Sequence, residues 1–237
     1  MFTPSDFRVA IITPYYDEEL EQIQKCNQSV LSQSYQATHV LVADGRPHPN
    51  VSALDAQHVI LPLGHSDIGS TPRLIGAYHA IGLGYDAIGF LDADNWLASN
   101  HVEMLVEAHY DSRAAFLSSG RWLCHVDGTP MAVCPYTDPA KFIDTNCMFF
   151  TRDAFKLLHH WVLMPEYGHL IGDRIILYHV RKSGLKMVHV NAPSVYYRCS
   201  KEGVYRNLGR DIPDGISPRP DYESSFRRWI ADGNEPL

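Results

Sequence analysis

Residues 88–96 read IGFLDADNW. An apolar run of the kind found in a buried strand passes straight into Asp92, Ala93 and Asp94. On an alternating strand the two aspartates share a face, where like charges repel and raise each other's pKa, so a cation is expected between them. The plainer alternative is a strand end that caps the next helix, a place where Asp is common.

The flanking segments favour an α/β chain with a mostly parallel sheet. Just upstream, Leu74, Ile75, Tyr78 and Ile81 predict an amphipathic helix from Thr71, with Pro72 in its first turn and Gly82 and Gly84 ending it. Phe7–Thr13 (FRVAIIT), closed by Pro14, is too short for a helix and reads as a buried strand. A helix follows between Glu18 and Leu31, with Leu20, Ile23, Val30 and Leu31 on one face. HVLVADG (39–45) and HVILPL (58–63) predict two more strands. Downstream, Ser99 is the expected N-cap of a helix carrying Val102, Leu105, Val106 and His109. The second half predicts a hairpin at Asp127–Gly128, a strand over 147–151, helices over 152–161 and 173–182, and short strands LKMVHV (185–190) and SVYYR (194–198). Gly209–Pro220 reads as a linker or lid, and Tyr222–Ile230 as a last short helix.

Composition narrows the function classes. A chain of 237 residues can bury one good core. Its formal charge of −7, with basic runs no longer than Arg181–Lys182 or Arg227–Arg228, argues against a nucleic-acid partner. Cys26, Cys124, Cys134, Cys147 and Cys199 form no C-x-x-C, so neither a disulfide framework nor a zinc knuckle is expected, and a reducing cytoplasm suits them. MFTPSDFR lacks the features of a secretory signal, and no apolar run approaches the roughly 20 residues of a membrane span. His159, His160, Glu166 and His169 lack zinc-ligand spacing.

In an open α/β sheet, ligands bind beyond the carboxyl ends of the strands. There the first strand runs into Thr13, Tyr15 and Asp17, the second ends at Asp44, and the fourth at Asp92 and Asp94. Two hard carboxylates with open coordination suit Mg2+ or Mn2+ shared with substrate phosphates, which points to a nucleotide diphosphate. Neither a G-x-x-x-x-G-K-[ST] loop nor a G-x-G-x-x-G turn is present to hold those phosphates by other means.

Five segments in order, VAIITPYYDE (9–18), VADG (42–45), GSTPRLIGAYHAIGLGYDAIGFLDADN (69–95), TNCMFFTRDAF (145–155) and GDRIILYHVRKSGLKMVHV (172–190), resemble the family 2 glycosyltransferases, inverting enzymes of the GT-A fold. The resemblance implies one GT-A domain over 1–237: a central, mostly parallel sheet flanked by helices, with a smaller acceptor-side sheet. Residues 1–114 would hold the nucleotide-sugar donor, 115–208 the acceptor and catalytic groups, and 209–237 a tail or lid. It implies that Thr13, Pro14 and Tyr15 pack on the nucleotide base, that Asp44 hydrogen-bonds the base edge, and that Arg73 lies near base or phosphate. Asp92 would meet ribose or metal, Asp94 the metal (Mn2+ or Mg2+), and Asp173 would be the catalytic base. One departure stands out, since the Glu that precedes this Asp in the family is Gly172 here.

The expected activity is transfer, with inversion, of a sugar from a nucleotide diphosphate, UDP first, to a hydroxyl on a glycan or glycolipid in cell-surface polysaccharide or glycolipid synthesis. The enzyme is expected in the cytoplasm, peripherally at the inner membrane face where the acceptor is a lipid. The rivals are a sugar-phosphate nucleotidyltransferase, disfavoured by the acidic TPYYDEE after the first strand, and a non-catalytic nucleotide-sugar-binding module, favoured by Gly172. Trp96, Trp122, Tyr136 and Trp161 are candidates to stack on an acceptor sugar or to fill the core.

Overall fold

A computed structural model of the chain describes residues 7–237. Its first half alternates strand and helix: β1 (Val9–Tyr15), α1 (Leu20–Leu31), β2 (Ala37–Asp44), β3 (Gln57–Leu61), α2 (Ser70–Gly82) and β4 (Ala87–Phe90). These four strands pair in parallel in the order β3-β2-β1-β4. All seven residues of β1 are buried, as expected of a parallel strand covered on both faces.

The second half adds β5 (Trp96–Leu97), α3 (His101–Ser112), β6 (Phe116–Cys124), β7 (Pro130–Val133), β8 (Met148–Thr151), α4 (His160–Leu163), α5 (Gly172–Lys182), β9 (Met187–Arg198), α6 (Glu202–Asn207) and α7 (Tyr222–Ala231). The later strands continue the same sheet in the order β4-β8-β6-β9-β5, with the expected hairpin partner β7 on β6. Strand β8 runs antiparallel to both β4 and β6, while β6 and β9 are parallel. The carboxyl ends of β1, β2, β4, β6 and β9 and the amino end of β8 therefore share one edge of the sheet.

Four local expectations are corrected. Strand β4 stops at Phe90, and Asp92–Asn95 form a turn closed by Asn95 N–H on the Asp92 carbonyl at 3.0 Å, so the aspartates are not alternating strand residues. The segment expected as one helix over 152–161 is a 3-10 helix over Arg152–Leu157 followed by the single turn of α4. There Leu158 and Trp161 each bond three residues back, to the carbonyls of Phe155 and Leu158. The two short strands expected at 185–198 are one strand, whose register against β6 shifts opposite Pro193 because proline cannot donate to the ladder. Asn100 rather than Ser99 precedes α3.

The main core lies between the sheet and its helices, where Phe90 meets Phe150 and Trp161 edge-on at 5.9 and 5.7 Å. All five cysteines are buried and free. Helix α2 crosses β1 and β2 so closely that a Cβ on Gly76 would stand 2.5 Å from Ile12 Cγ2 and 2.8 Å from Val42 Cγ2. Gly76→Ala is expected to destabilise the fold by about 1–3 kcal/mol through overpacking, even though alanine is worth roughly 1 kcal/mol more than glycine inside a helix. A lowered urea midpoint at unchanged slope checks this.

Candidate functional site

Two cavities open at the shared edge of the sheet. The first, about 490 Å3, is lined by Pro14, Tyr15, Asp44, Arg73, Asp92 and Asp94, together with Tyr16, Glu18 and residues of the loop before α2. Six of the seven residues expected around the donor thus meet there. The exception is Thr13, fully buried beneath the strand end, with its hydroxyl 2.8 Å from His39 Nε2 and 3.7 Å from Cys26 Sγ. Tyr15 is also tightly packed, its hydroxyl 2.6 Å from His58 Nε2, while Tyr16 is 46% exposed with the Arg46 guanidinium 4.7 Å over its ring.

At one end of this cavity Asp44 is held by His65, whose backbone N–H donates to Oδ2 at 3.2 Å and whose Nδ1 lies 2.6 Å from Oδ1. His65 was not singled out from the sequence. It belongs to a loop in which Ser66 and Ile68 both take positive φ, 55° and 57°. For a β-branched residue this is a strained backbone state that survives only when its surroundings impose it. Arg73 imposes it here, donating from Nη1 to the Ile68 carbonyl at 2.7 Å.

The same guanidinium donates from Nη2 to Asp92 Oδ1 at 2.5 Å, which answers the demand for a cation at this carboxylate. The other oxygen of Asp92 accepts from Asn146 Nδ2 at 2.9 Å, and the Asp92 N–H donates to Asn146 Oδ1 at 2.5 Å. Asp94 has no such settlement. Burial first, then the nearby Asp92 and Glu18 carboxylates, push it up to about 7, with the Arg198 charge opposing. Among the described residues no three His, Cys, Asp or Glu side chains form a closed metal cage. A buried carboxylate crowded by two others nonetheless fits a hard divalent cation that takes its remaining ligands from substrate oxygens.

The second cavity, about 350 Å3, holds Asp173 at the start of α5, with Asp144, Arg121, Tyr136 and Tyr197 among its walls. Lys201 lines both cavities. Burial first and then the Asp144 charge raise Asp173 to about 6, while Arg174 pulls the other way. Asp144 forms a buried ion pair with Arg121, and its Oδ1 accepts from both the N–H and Nδ2 of Asn146, at 3.0 and 2.7 Å. Asn146, absent from the sequence-based site, therefore joins the carboxylates of the two cavities. The signal for it was a lone amide opening the buried run CMFFT. Gly172 packs against Met164 and Trp161, where a Cβ would stand 3.4 Å from Met164 Sδ and from the Trp161 ring. Of the aromatic candidates, Trp161 is core, Trp96 stacks on Tyr196 at 5.4 Å, and Tyr136, 41% exposed, faces the second cavity. A larger cavity of about 900 Å3 lies around Ala37, Gln57 and Tyr85, at the opposite edge of the sheet from these carboxylates.

The family model described as glycosyl transferase family 2 matches residues 10–158. The chain belongs to glycosyl transferase family 2. As a family 2 glycosyltransferase it bears out the resemblance read from its segments, and its sheet and flanking helices are those of the GT-A fold. Curated proteins offer no significant match. Among solved structures, S. aureus TarS 1–349 in complex with UDP is similar with a TM-score of 0.62 at 14% identity, covering 87% of this chain and 67% of that one. The complex of the same fragment with UDP-GlcNAc gives a TM-score of 0.63 at 13% identity, covering 95% and 66%. The chain spans 41% of the longer S. aureus TarS structure, at a TM-score of 0.61 and 14% identity.

The raised Asp94 predicts a pH-dependent strain. Its folded pKa of about 7 exceeds the ordinary carboxylate value, so ionising it costs the folded state more than the unfolded one. Asp94→Asn is expected to raise the melting temperature of the ligand-free protein by an increment that grows from about pH 4 to pH 7 and levels off above. A gain on the order of 1–3 kcal/mol at pH 8 is expected. Thermal melts of both proteins across that range check it.

Proposed function

We propose that this family 2 glycosyltransferase moves a sugar, with inversion, from a nucleotide diphosphate donor to a hydroxyl acceptor, with UDP the expected carrier. The observation that carries the reading is the pairing of two adjoining cavities, one with Asp44, Arg73, Asp92 and Asp94, the other with Asp173. The UDP and UDP-GlcNAc complexes of the similar S. aureus TarS structures support the choice of donor. Pro14 and Tyr15 would pack on the base and Asp44 would accept from its edge, once His65 yields that carboxylate or shares it.

Asp94, with Asp92 beside it, would hold Mn2+ or Mg2+. Such an ion supplies Lewis-acid stabilisation of the charge that grows on the departing diphosphate. Arg73 would keep Asp92 oriented, and Lys201 offers a second positive charge at the boundary between the cavities. Asp173 would take the acceptor's proton as its hydroxyl attacks. A base held near pH 6 is ionised at neutral pH and stays close enough to the working pH for efficient general-base catalysis. The acceptor is expected among glycans or glycolipids of a cell-surface pathway on the cytoplasmic side. Among the described residues no helix is long and apolar enough to cross a membrane.

UDP with Mn2+ is expected to raise the melting temperature of the wild type, with the shift lost on chelation and much reduced in Asp94→Asn. Equal shifts in all three conditions would remove the metal from the reading. Asp173→Asn keeps the side chain's shape but not its basicity. Transfer should fall roughly 10²–10⁴-fold while the UDP shift persists, and wild-type transfer should rise with pH through about 6 and then flatten. An acid serving only the helix dipole would cost about 0.3–1 kcal/mol of stability and leave the rate nearly intact. Near-normal transfer in Asp173→Asn would therefore refute its role as base.

A further inference from the structure

The two cavities differ in sign. The donor cavity is lined by five carboxylates, Glu18, Asp44, Asp67, Asp92 and Asp94, against two cations, Arg73 and Lys201. The cavity around Asp173 holds two carboxylates, Asp144 and Asp173, against four cations, Arg121, Arg174, Lys201 and Arg219. Arg121 and Asp144 neutralise one another in their buried pair. That leaves three cations facing the single carboxylate Asp173, in a chain whose overall charge is −7.

Among the described residues none of the three excess cations forms a side-chain ion pair within 4 Å. The Arg174 guanidinium lies between the Phe142 and Phe226 rings, at 4.7 and 5.4 Å from their centroids, and Nη1 donates to the Lys141 carbonyl at 3.1 Å. Such stacking orients a guanidinium and leaves much of its donor fork for a ligand. Arg219 sits 6.0 Å over Tyr222 on the tail segment, which is tied back where Ser217 pairs with Lys201. The nearby Glu202 is already engaged by the Arg206 side chain and by the Arg219 backbone N–H. Three like charges with one carboxylate among them around a cavity of this size repel, and a bound anion relieves that repulsion.

We infer that the acceptor carries an anionic group, a phosphate or a carboxylate, near the hydroxyl that receives the sugar, and that Arg174 and Arg219 bind it. This rests on Asp173 marking the acceptor side of the proposed reaction. The anion lies on the side of the cavity formed by α5 and the C-terminal tail, while Lys201 stands between it and the donor's diphosphate. A planar guanidinium pair meets either oxyanion with charge-assisted hydrogen bonds. A neutral sugar in the same place would leave two positive charges in excess of Asp173.

The test measures probe binding by saturation-transfer NMR in the presence and absence of saturating UDP and Mn2+. Glycerol 3-phosphate is compared with glycerol, and glucuronate with glucose. At least one charged probe is expected to bind ten times more tightly than its neutral counterpart with the donor site filled, and the tighter of the two identifies phosphate or carboxylate. Arg219→Gln, at an exposed position, and Arg174→Gln are each expected to weaken that probe at least threefold and to leave UDP binding unchanged. Equal binding of charged and neutral probes, no detectable binding of either anion, or undiminished anion binding in both variants would overturn the inference. UDP titrated into the same samples reports separately on the donor site, so a failure of the glycosyltransferase reading shows as lost UDP binding rather than as lost charge preference.

Discussion

The arrangement at the sheet edge depends on how one carboxylate, Asp92, is held. Arg73 grips it from α2, Asn146 from the approach to β8, and its own backbone N–H is tied to the same Asn146 amide. The turn that follows is secured from a third direction by the end of β9. There Arg198 donates its backbone N–H to Asn95 Oδ1 at 2.8 Å and Nε to the Asp94 carbonyl at 3.2 Å. The Asp92 side chain is only partly exposed, and its charge is met by a guanidinium and its oxygens by hydrogen bonds. Meeting the needs of Asp92 fixes a helix, a strand and a turn relative to one another, and with them the position of Asp94.

That convergence requires the reversal at β8. Had β8 continued the parallel run, its amino end and Asn146 would lie at the far edge of the sheet. Because β8 runs the other way, the segment Asp144–Cys147 enters the sheet where β4 and β6 leave it. The Asp144–Arg121 pair then lines the second cavity, and the amide of Asn146 spans from Asp144 to Asp92 in the first. The carboxylates of the two cavities thus belong to one polar network laid across three neighbouring strands.

How much of this could be read from the chain follows from the kind of signal involved. The strands β1, β2 and β4 and the helices α1 and α2 announce themselves by apolar pattern, and their ends by Pro14, Asp44 and Asp92. Residues singled out because they close a strand, such as Asp44 and Asp94, do come together in one cavity. Those that matter through distant partners were not singled out: Asn146 and His65 are single polar residues whose value appears only once β8 and the loop before α2 are in place. Thr13 shows the converse, since a place near the end of β1 says nothing about which way a hydroxyl turns, and here it turns inward to His39. The break at 158–159 was invisible because three-residue and four-residue helical bonds bury nearly the same apolar spacing.

The five cysteines give the fold a further property. Each thiol lies inside the protein, and burial raises Cys26, Cys147 and Cys199 well above the ordinary thiol range, the last to about 12. Since the thiolate is the species that reacts, oxidants and alkylating agents meet almost none of it at these three positions in the native state. Modification of Cys26, Cys147 and Cys199 therefore waits on opening of the structure, so at a fixed reagent concentration its rate reports the population of opened states.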